Sequence, residues 1–204
     1  MQLISLLGLI ILIIAAALIL FWRVWFLRQP KRTVPKKGIV SPASGRLIKI
    51  IPYKNGQAKD IPKGMLGKVK AITKDVAKEG NILVIMLTPL DVHYQRAPET
   101  GTITKTTYTK GLFKNAVIGA SYRAFENEKN EMLFKTKAGP MKVVQVAGVA
   151  ARRINCYVKA GQTVQRGEVI GLINLGSQTL LILPKMKLKV KENDYLVDGE
   201  TVIA

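Results

Sequence analysis

The chain opens on an unbroken apolar block and then changes its period. Leu3 to Trp22 reads LISLLGLIILIIAAALILFW, twenty residues without a charge and with Ser5 as the only hydroxyl. A helix of about twenty such residues crosses a hydrocarbon core with its own backbone groups satisfied. The block therefore predicts one transmembrane helix over 1–23. A cleaved secretory leader would start basic and end polar, whereas Met1-Gln2 carries no side-chain charge and LILFW runs on past Ala15–Ala17. Beyond Pro42 the pattern turns into short apolar runs punctuated by glycine. GRLIKI, MLGKVKAI, ILVIML, GTITKTTY, KVVQVAGV, RRINCYV, EVIGLI, QTLLILP, LKV and ETVIA alternate or are rich in Val and Ile, and each predicts a strand. The best helical stretch after the membrane segment, Tyr122 to Asn130, is too short to support a βαβ plan. The expected fold is mainly β: a compact barrel- or sandwich-like domain over 41–204, joined to the transmembrane helix by a stalk over 24–40 that Pro30 and Pro35 break.

One design occurs twice near the C-terminus. KAGQTVQRGEVIGLI carries Val164, Gly167 and Glu168 ahead of an apolar run, and KENDYLVDGETVIA carries Val197, Gly199 and Glu200 ahead of another. Two copies of one turn followed by a strand predict two similar hairpin units.

Charge directs the reading of partners. The chain holds 32 basic against 13 acidic residues, a net +19 that favours anionic partners. With a membrane segment attached, anionic lipid headgroups fit that charge best. Arg23, Arg28, Lys31, Arg32, Lys36 and Lys37 follow the apolar block, and no acid appears before Asp60. Basic residues on that side alone place the folded domain on the cytoplasmic face of the cell membrane, with Trp22, Trp25 and Phe26 at the interface. Binding of single-stranded nucleic acid would call for aromatics interleaved with Lys and Arg. Aromatics make up only 6% of the chain, and several lie in WRVWF, so nucleic acid is not the expected partner. The single Cys156 forms no internal disulfide, fits a reducing compartment, and in INCYV is expected as a buried small residue. No cluster of His, Cys and acids has metal-ligand spacing, so no metal is expected.

Two short stretches carry candidate chemistry. His93, the only histidine, lies in LTPLDVHYQRAP, where Pro89 and Pro98 exclude a regular central strand and predict a turn or bulge rim. Its imidazole is the simplest general base near neutrality, although a lone histidine is more often structural. In NLGSQTLLILP, Gly176-Ser177 reads first as an ordinary turn, the commoner meaning of such a pair, and otherwise as a bond that its own serine breaks. A hydroxyl directly after glycine can attack the preceding carbonyl when a base takes its proton, and glycine has no side chain to block that approach. The resulting ester can eliminate, and hydrolysis then leaves a pyruvoyl ketone able to serve as an electron sink.

From about Val24 to the end, the chain resembles the short, archaetidylserine decarboxylase-like form of the phosphatidylserine decarboxylase family. The matching stretches are FLRQPKRTVP, SPASGRL, LTPLDVHYQRAPETGTI, KGLFKNA, FENEKN, QVAGVAARRI, VQRGEVIGLINLGS and VDGETVIA. The resemblance implies a self-processing lyase that converts a serine-headgroup phospholipid to the ethanolamine type with release of CO2. It implies cleavage between Gly176 and Ser177, a pyruvoyl group derived from Ser177, β and α fragments of one precursor, and a catalytic role for His93. Larger members carry a second histidine where this chain has Arg96, and usually a threonine where it has Gln178. Family members usually read SPADG, so Ser44 stands where a relay aspartate belongs, as a relay substitute. Losing an orienting carboxylate costs roughly ten-thousandfold in the serine-protease case. A processing-deficient member, acting as a membrane-bound lipid-binding or scaffold protein, is the alternative that Ser44 supports. Arg96, Arg152 and Arg153 are candidate headgroup contacts. Adjacent strand residues point to opposite faces, so at most one of Arg152 and Arg153 faces a shared pocket. Oligomeric state stays open, a homo-oligomer included, as does the choice between diacyl and ether lipid.

Overall fold

A computed structural model of the chain describes residues 2–54, 59–62, 68–110, 128–147, 153–174 and 177–204. Helix α1 (Gln2–Leu20) stands clear of the rest, with every side chain from Leu6 to Leu20 exposed. It runs on into a π-helical segment, Phe21–Phe26, so that Leu6–Phe26 forms an apolar rod of 21 residues with mean hydropathy 2.7, long enough to cross a membrane. Only at its end does the rod meet the domain, where Phe26 is completely buried.

The basic segment that follows is laid along the domain. Thr33 N–H donates to Glu200 Oε1 (2.7 Å), and Arg166 Nη1 donates to the Pro35 carbonyl (3.0 Å). Ile39 and Ala204 pair (2.9 Å), as do Ile203 and Ile39 (2.7 Å), so the start of the domain is stitched to its last residues.

Thirteen strands follow among the described residues: β1 (Gly45–Lys54), β2 (Lys59–Pro62), β3 (Lys68–Ala71), β4 (Glu79–Leu87), β5 (Tyr94–Arg96), β6 (Gly101–Thr109), β7 (Lys129–Thr136), β8 (Gly139–Val146), β9 (Arg153–Cys156), β10 (Thr163–Val164), β11 (Val169–Asn174), β12 (Ser177–Pro184) and β13 (Tyr195–Leu196). Eight form one antiparallel sheet in the order β10-β6-β7-β8-β12-β4-β1-β13; β5-β11-β9 and β2-β3 form smaller ones. The mainly β expectation holds. Its centre is buried on both faces, which explains the unbroken apolar runs ILVIML and LLIL. Leu83 and Ile85 of β4, Val143 of β8 and Leu181 and Leu183 of β12 enter the larger core with Ile103, Phe134 and Ile170. The alternate positions Ile82, Val84, Val144, Leu180 and Ile182 enter a second core with Tyr53 and Val76.

The sequence repeat has a structural counterpart. β10 and β13 are the two edge strands of the large sheet, and each is followed by the same turn. Glu168 N–H returns to the Gln165 carbonyl, and Glu200 N–H to the Val197 carbonyl. Gly167 (φ +77°) and Gly199 (φ +74°) occupy the left-handed position that favours glycine in both copies.

Three expectations need correction. LKV and ETVIA form no strands; Val202 makes only an isolated bridge to Val40. The helical stretch at 122–130 ends in Lys129 and Asn130, which begin β7, and its residues 122–127 lie outside the described residues. Cys156 is exposed, because β9 is the outer strand of its sheet.

Candidate active site

A turn held by its own side chains delivers His93. Asp91 N–H donates to the Thr88 carbonyl (3.0 Å), while Asp91 Oδ2 accepts from Thr88 N–H (2.7 Å) and Thr88 Oγ1 (2.8 Å). Its other oxygen accepts from the Tyr195 hydroxyl at 2.5 Å, and burial together with that carboxylate pushes the Tyr195 phenol up to about 12. The turn thus aims the Asp91 carbonyl at Nδ1 of His93, 2.9 Å away. A carbonyl only accepts, so Nδ1 carries the proton and the neutral ring keeps its lone pair on Nε2. Nε2 is buried and has no hydrogen-bond partner among the described residues. Burial lowers the His93 pKa, aided by the positive charge of Arg28 and opposed by the Asp91 carbonyl and carboxylate. The ring is therefore neutral at pH 7, with a free lone pair.

The backbone before residues 175–176 is hydrogen-bonded to this histidine, and the backbone after them to the strand that leads into its turn. β11 ends at Asn174 in the three-stranded sheet, and β12 begins at Ser177 in the eight-stranded one, so the chain changes sheets there. Ile173 N–H donates to the His93 carbonyl (3.1 Å). Ser177 pairs in register with Leu87, the residue before the turn, and Asn174 pairs with Arg153. Gly176 and Arg152 lie outside the described residues.

A relay of buried amides braces the same point. Gln95 Nε2 donates to the His93 carbonyl, Gln145 Nε2 to Gln95 Oε1, and Asn130 Nδ2 to Gln145 Oε1, each at 2.8 Å. The relay passes so close to β11 that a Cβ on Gly171 would lie 2.5 Å from Gln145 Nε2 and 2.7 Å from the Asn155 carbonyl oxygen. Just after Ser177, the hydroxyl of Thr179 and both amide atoms of Gln178 are buried without partners among the described residues, as is His93 Nε2. Gln178 and Thr179 are consecutive on β12 and face opposite sides of the sheet, so at most one of them faces the same side as His93.

The model of the family described as phosphatidylserine decarboxylase matches residues 19–204. The chain belongs to that family. A phosphatidylserine decarboxylase proenzyme from Magnetococcus marinus is 35% identical over 184 residues, covering 88% of this chain and 76% of the relative. One from Saccharopolyspora erythraea is 36% identical over 187 residues, covering 90% and 72%. A Methanocaldococcus jannaschii protein named for archaetidylserine decarboxylation is 34% identical over 194 residues, covering 94% and 93%.

Ser44, expected as a relay substitute, has partners of its own in this decarboxylase family member. The Ser44 hydroxyl donates to Oδ1 of the buried Asp198 (2.5 Å) and accepts from the Asp198 N–H (3.1 Å). The ring nitrogen Nδ1 of His93 has the Asp91 carbonyl instead. Arg96 donates through Nε to Asp198 Oδ2 (2.7 Å), through Nη1 to the Gly167 carbonyl (2.8 Å) and through Nη2 to the Pro30 carbonyl (3.1 Å). Arg32 meets the same carboxylate. Arg96 and Ser44 thus share one ion-pair cluster with Asp198, and each of the three guanidinium nitrogens of Arg96 has an acceptor within the chain.

Sequence reasoning missed Asp91, Asp198, Tyr195 and the Gln95–Gln145–Asn130 relay. Asp91 had a faint signal, since it lies two residues before the histidine in a proline-marked turn. Asp198 had none beyond its place in the repeated turn.

Proposed function

We propose that Ser177 of this family member becomes the pyruvoyl group after the Gly176–Ser177 bond breaks, with His93 as the base. The reaction class comes with family membership: a self-processing, pyruvoyl-dependent enzyme converts a phosphatidylserine-type lipid to the phosphatidylethanolamine type and releases CO2. The observation that supports the assignment of His93 is its lone-pair-bearing Nε2, unpartnered among the described residues, on a residue whose carbonyl is bonded to β11 just ahead of residues 175–176.

His93 Nε2 takes the hydroxyl proton of Ser177 as the oxygen bonds to the Gly176 carbonyl carbon, and the peptide nitrogen departs protonated to leave an ester. Elimination takes the Ser177 Cα proton, breaks the Cβ–O bond and frees the Gly176 carboxylate. Hydrolysis of the remaining unsaturated residue releases ammonia and leaves a ketone. That ketone supplies the electron sink for decarboxylation. His93 Nε2, once it has taken up the proton that the substrate amine gives up, is then the group that returns it to the carbon losing CO2. The missing relay carboxylate has two functions elsewhere, fixing a tautomer and stabilising imidazolium. The Asp91 carbonyl supplies the first and a nearby carboxylate part of the second, and a single self-cleavage per molecule tolerates a slow step.

Both fragments stay together in this reading, because β12, at the start of the 177–204 fragment, lies between β4 and β8 of the other. A membrane helix holds the site at its substrate, and the flanking Lys and Arg residues put the domain on the cytoplasmic side. Diacyl and ether serine lipids share the reacting headgroup, so the proposal names that headgroup. Incubation with vesicles containing phosphatidylserine, with product headgroups read by mass spectrometry, tests it. Ethanolamine lipid should form with the parent chain, not with Ser177→Ala, and at a strongly reduced rate with His93→Ala. A folded parent chain that converts neither diacyl nor ether serine lipid would leave the processing-deficient, lipid-binding alternative.

A further inference from the structure

The end of the membrane helix reaches the catalytic histidine itself. Phe26, the last residue of the π-helical segment, is fully buried, and its ring lies 4.1 Å from the His93 ring, centroid to centroid, tilted by 34°. One turn earlier, Trp22 stacks on Phe26 at 4.3 Å with the planes 9° from parallel. Arg28 locks this junction from the other side. Its Nη2 donates to the Leu90 carbonyl (2.6 Å), its Nη1 to the Trp25 carbonyl (2.8 Å), and its guanidinium lies 4.3 Å over the Trp25 ring. Leu90 belongs to the same turn whose next residue, Asp91, orients His93. Two independent contacts therefore tie the anchor to the histidine, one through the ring and one through the turn.

We propose that Phe26 is a positioning residue for His93, so that the membrane anchor forms a wall of the active site as well as a tether. An aromatic ring against imidazole excludes water from it and limits its rotation. The lone pair on Nε2 is then held in one direction in an apolar setting. The inference rests on the assignment of His93 as the base, and self-cleavage tests it cleanly: that step is intramolecular and needs no lipid, so loss of tethering cannot mimic loss of the wall.

The measurement uses the full chain in detergent micelles. His93 is the only histidine, so its imidazole resonances are unambiguous. In a Ser177→Ala background, which keeps the chain intact, nitrogen-labelled histidine is titrated with Phe26 unchanged, Phe26→Leu, Phe26→Val and Phe26→Ala. The groups expected to act on the ring besides Phe26 are Asp91, which favours the proton, and Arg28, which opposes it. Opening the ring to water in Phe26→Ala should raise the His93 pKa by roughly one unit. In the cleavage-competent chain, the acid limb of the self-cleavage rate should move up by the same amount, a tenfold loss at the foot of the limb. Phe26→Leu keeps an apolar cover and should stay near the parent, whereas Phe26→Val, a smaller cover, should move in the direction of Phe26→Ala by less and carries the test if Phe26→Ala fails to fold. Val24→Ala, on the exposed side of the same segment, should leave the profile unchanged. An imidazole titration and cleavage profile unmoved in Phe26→Val, and in Phe26→Ala where it folds, with His93→Ala still blocking cleavage, would overturn the wall. Undiminished cleavage in His93→Ala would overturn the assignment of the base, and this inference with it.

Discussion

Replacing Asp198 by asparagine is the sharpest test of how the domain is held around the site. Asp198 is fully buried and faces Arg96 Nε at 2.7 Å, the Ser44 hydroxyl at 2.5 Å and the Arg32 guanidinium. Asparagine keeps the shape but removes the charge that two guanidinium groups share, and it turns one acceptor oxygen into a donor. Removing one partner of a buried ion pair costs about 3–5 kcal/mol, because the other charge stays buried. Two features favour the lower end. Arg96 keeps its carbonyl acceptors on Gly167 and Pro30, and the Arg32 side chain is 13% exposed, near enough to water to relax. About 3 kcal/mol corresponds to a drop of roughly 6–12 °C in melting midpoint for a domain of this size. Thermal unfolding of the full chain in micelles, followed by near-ultraviolet circular dichroism in a Ser177→Ala background, measures it. Adding Arg96→Met should recover part of the loss, since it removes one of the stranded charges. A midpoint within about 2 °C of the parent, near the half-kilocalorie typical of surface substitutions, would refute the reasoning that this cluster pins the basic segment and β5 to the domain.

Two further predictions concern protons and the relay. Since burial lowers the His93 pKa, the neutral base persists below the ordinary value of 6.5, and the self-cleavage rate should be flat at neutral pH and fall only under that value. The same depression means that the folded state binds fewer protons. The ring's stabilisation is therefore present above about 6.5 and lost as pH falls toward the folded value, and the parent should lose stability on acidification relative to His93→Gln. Ser44→Ala removes a hydrogen bond to a buried carboxylate and should cost about 1.5–3 kcal/mol while leaving the cleavage rate per folded molecule within about threefold. A cleavage rate that collapses with little loss of stability would instead make Ser44 a true relay group.

The fold was legible where one physical rule governed a segment. β4 and β12 are covered on both faces, so their apolar runs announced them. β7 escaped because its buried positions include Asn130 and Glu131, which read as surface until Gln145 and Lys142 are brought opposite them. LKV and ETVIA read as strands because Leu188, Val190 and Ile203 do pack on the core, but without a ladder. At the site, His93 and its proline-marked turn were visible. The atoms that set its tautomer were not, because a backbone carbonyl has no signature in a side-chain pattern. Phe26 read as interfacial aromatic belt, since nothing in a local window reports a partner 67 residues away. Asp198 was hidden for the same reason: Arg96 lies 102 residues from it and Ser44 154.

Intact-mass spectrometry of the freshly folded chain addresses the central claim most directly. Self-processing at Ser177 yields two polypeptides, residues 1–176 with a free carboxyl end and residues 177–204 with a ketone in place of the first amine, both absent from Ser177→Ala. A natively folded parent chain that keeps its full unprocessed mass, with no carbonyl that traps hydroxylamine, would contradict it.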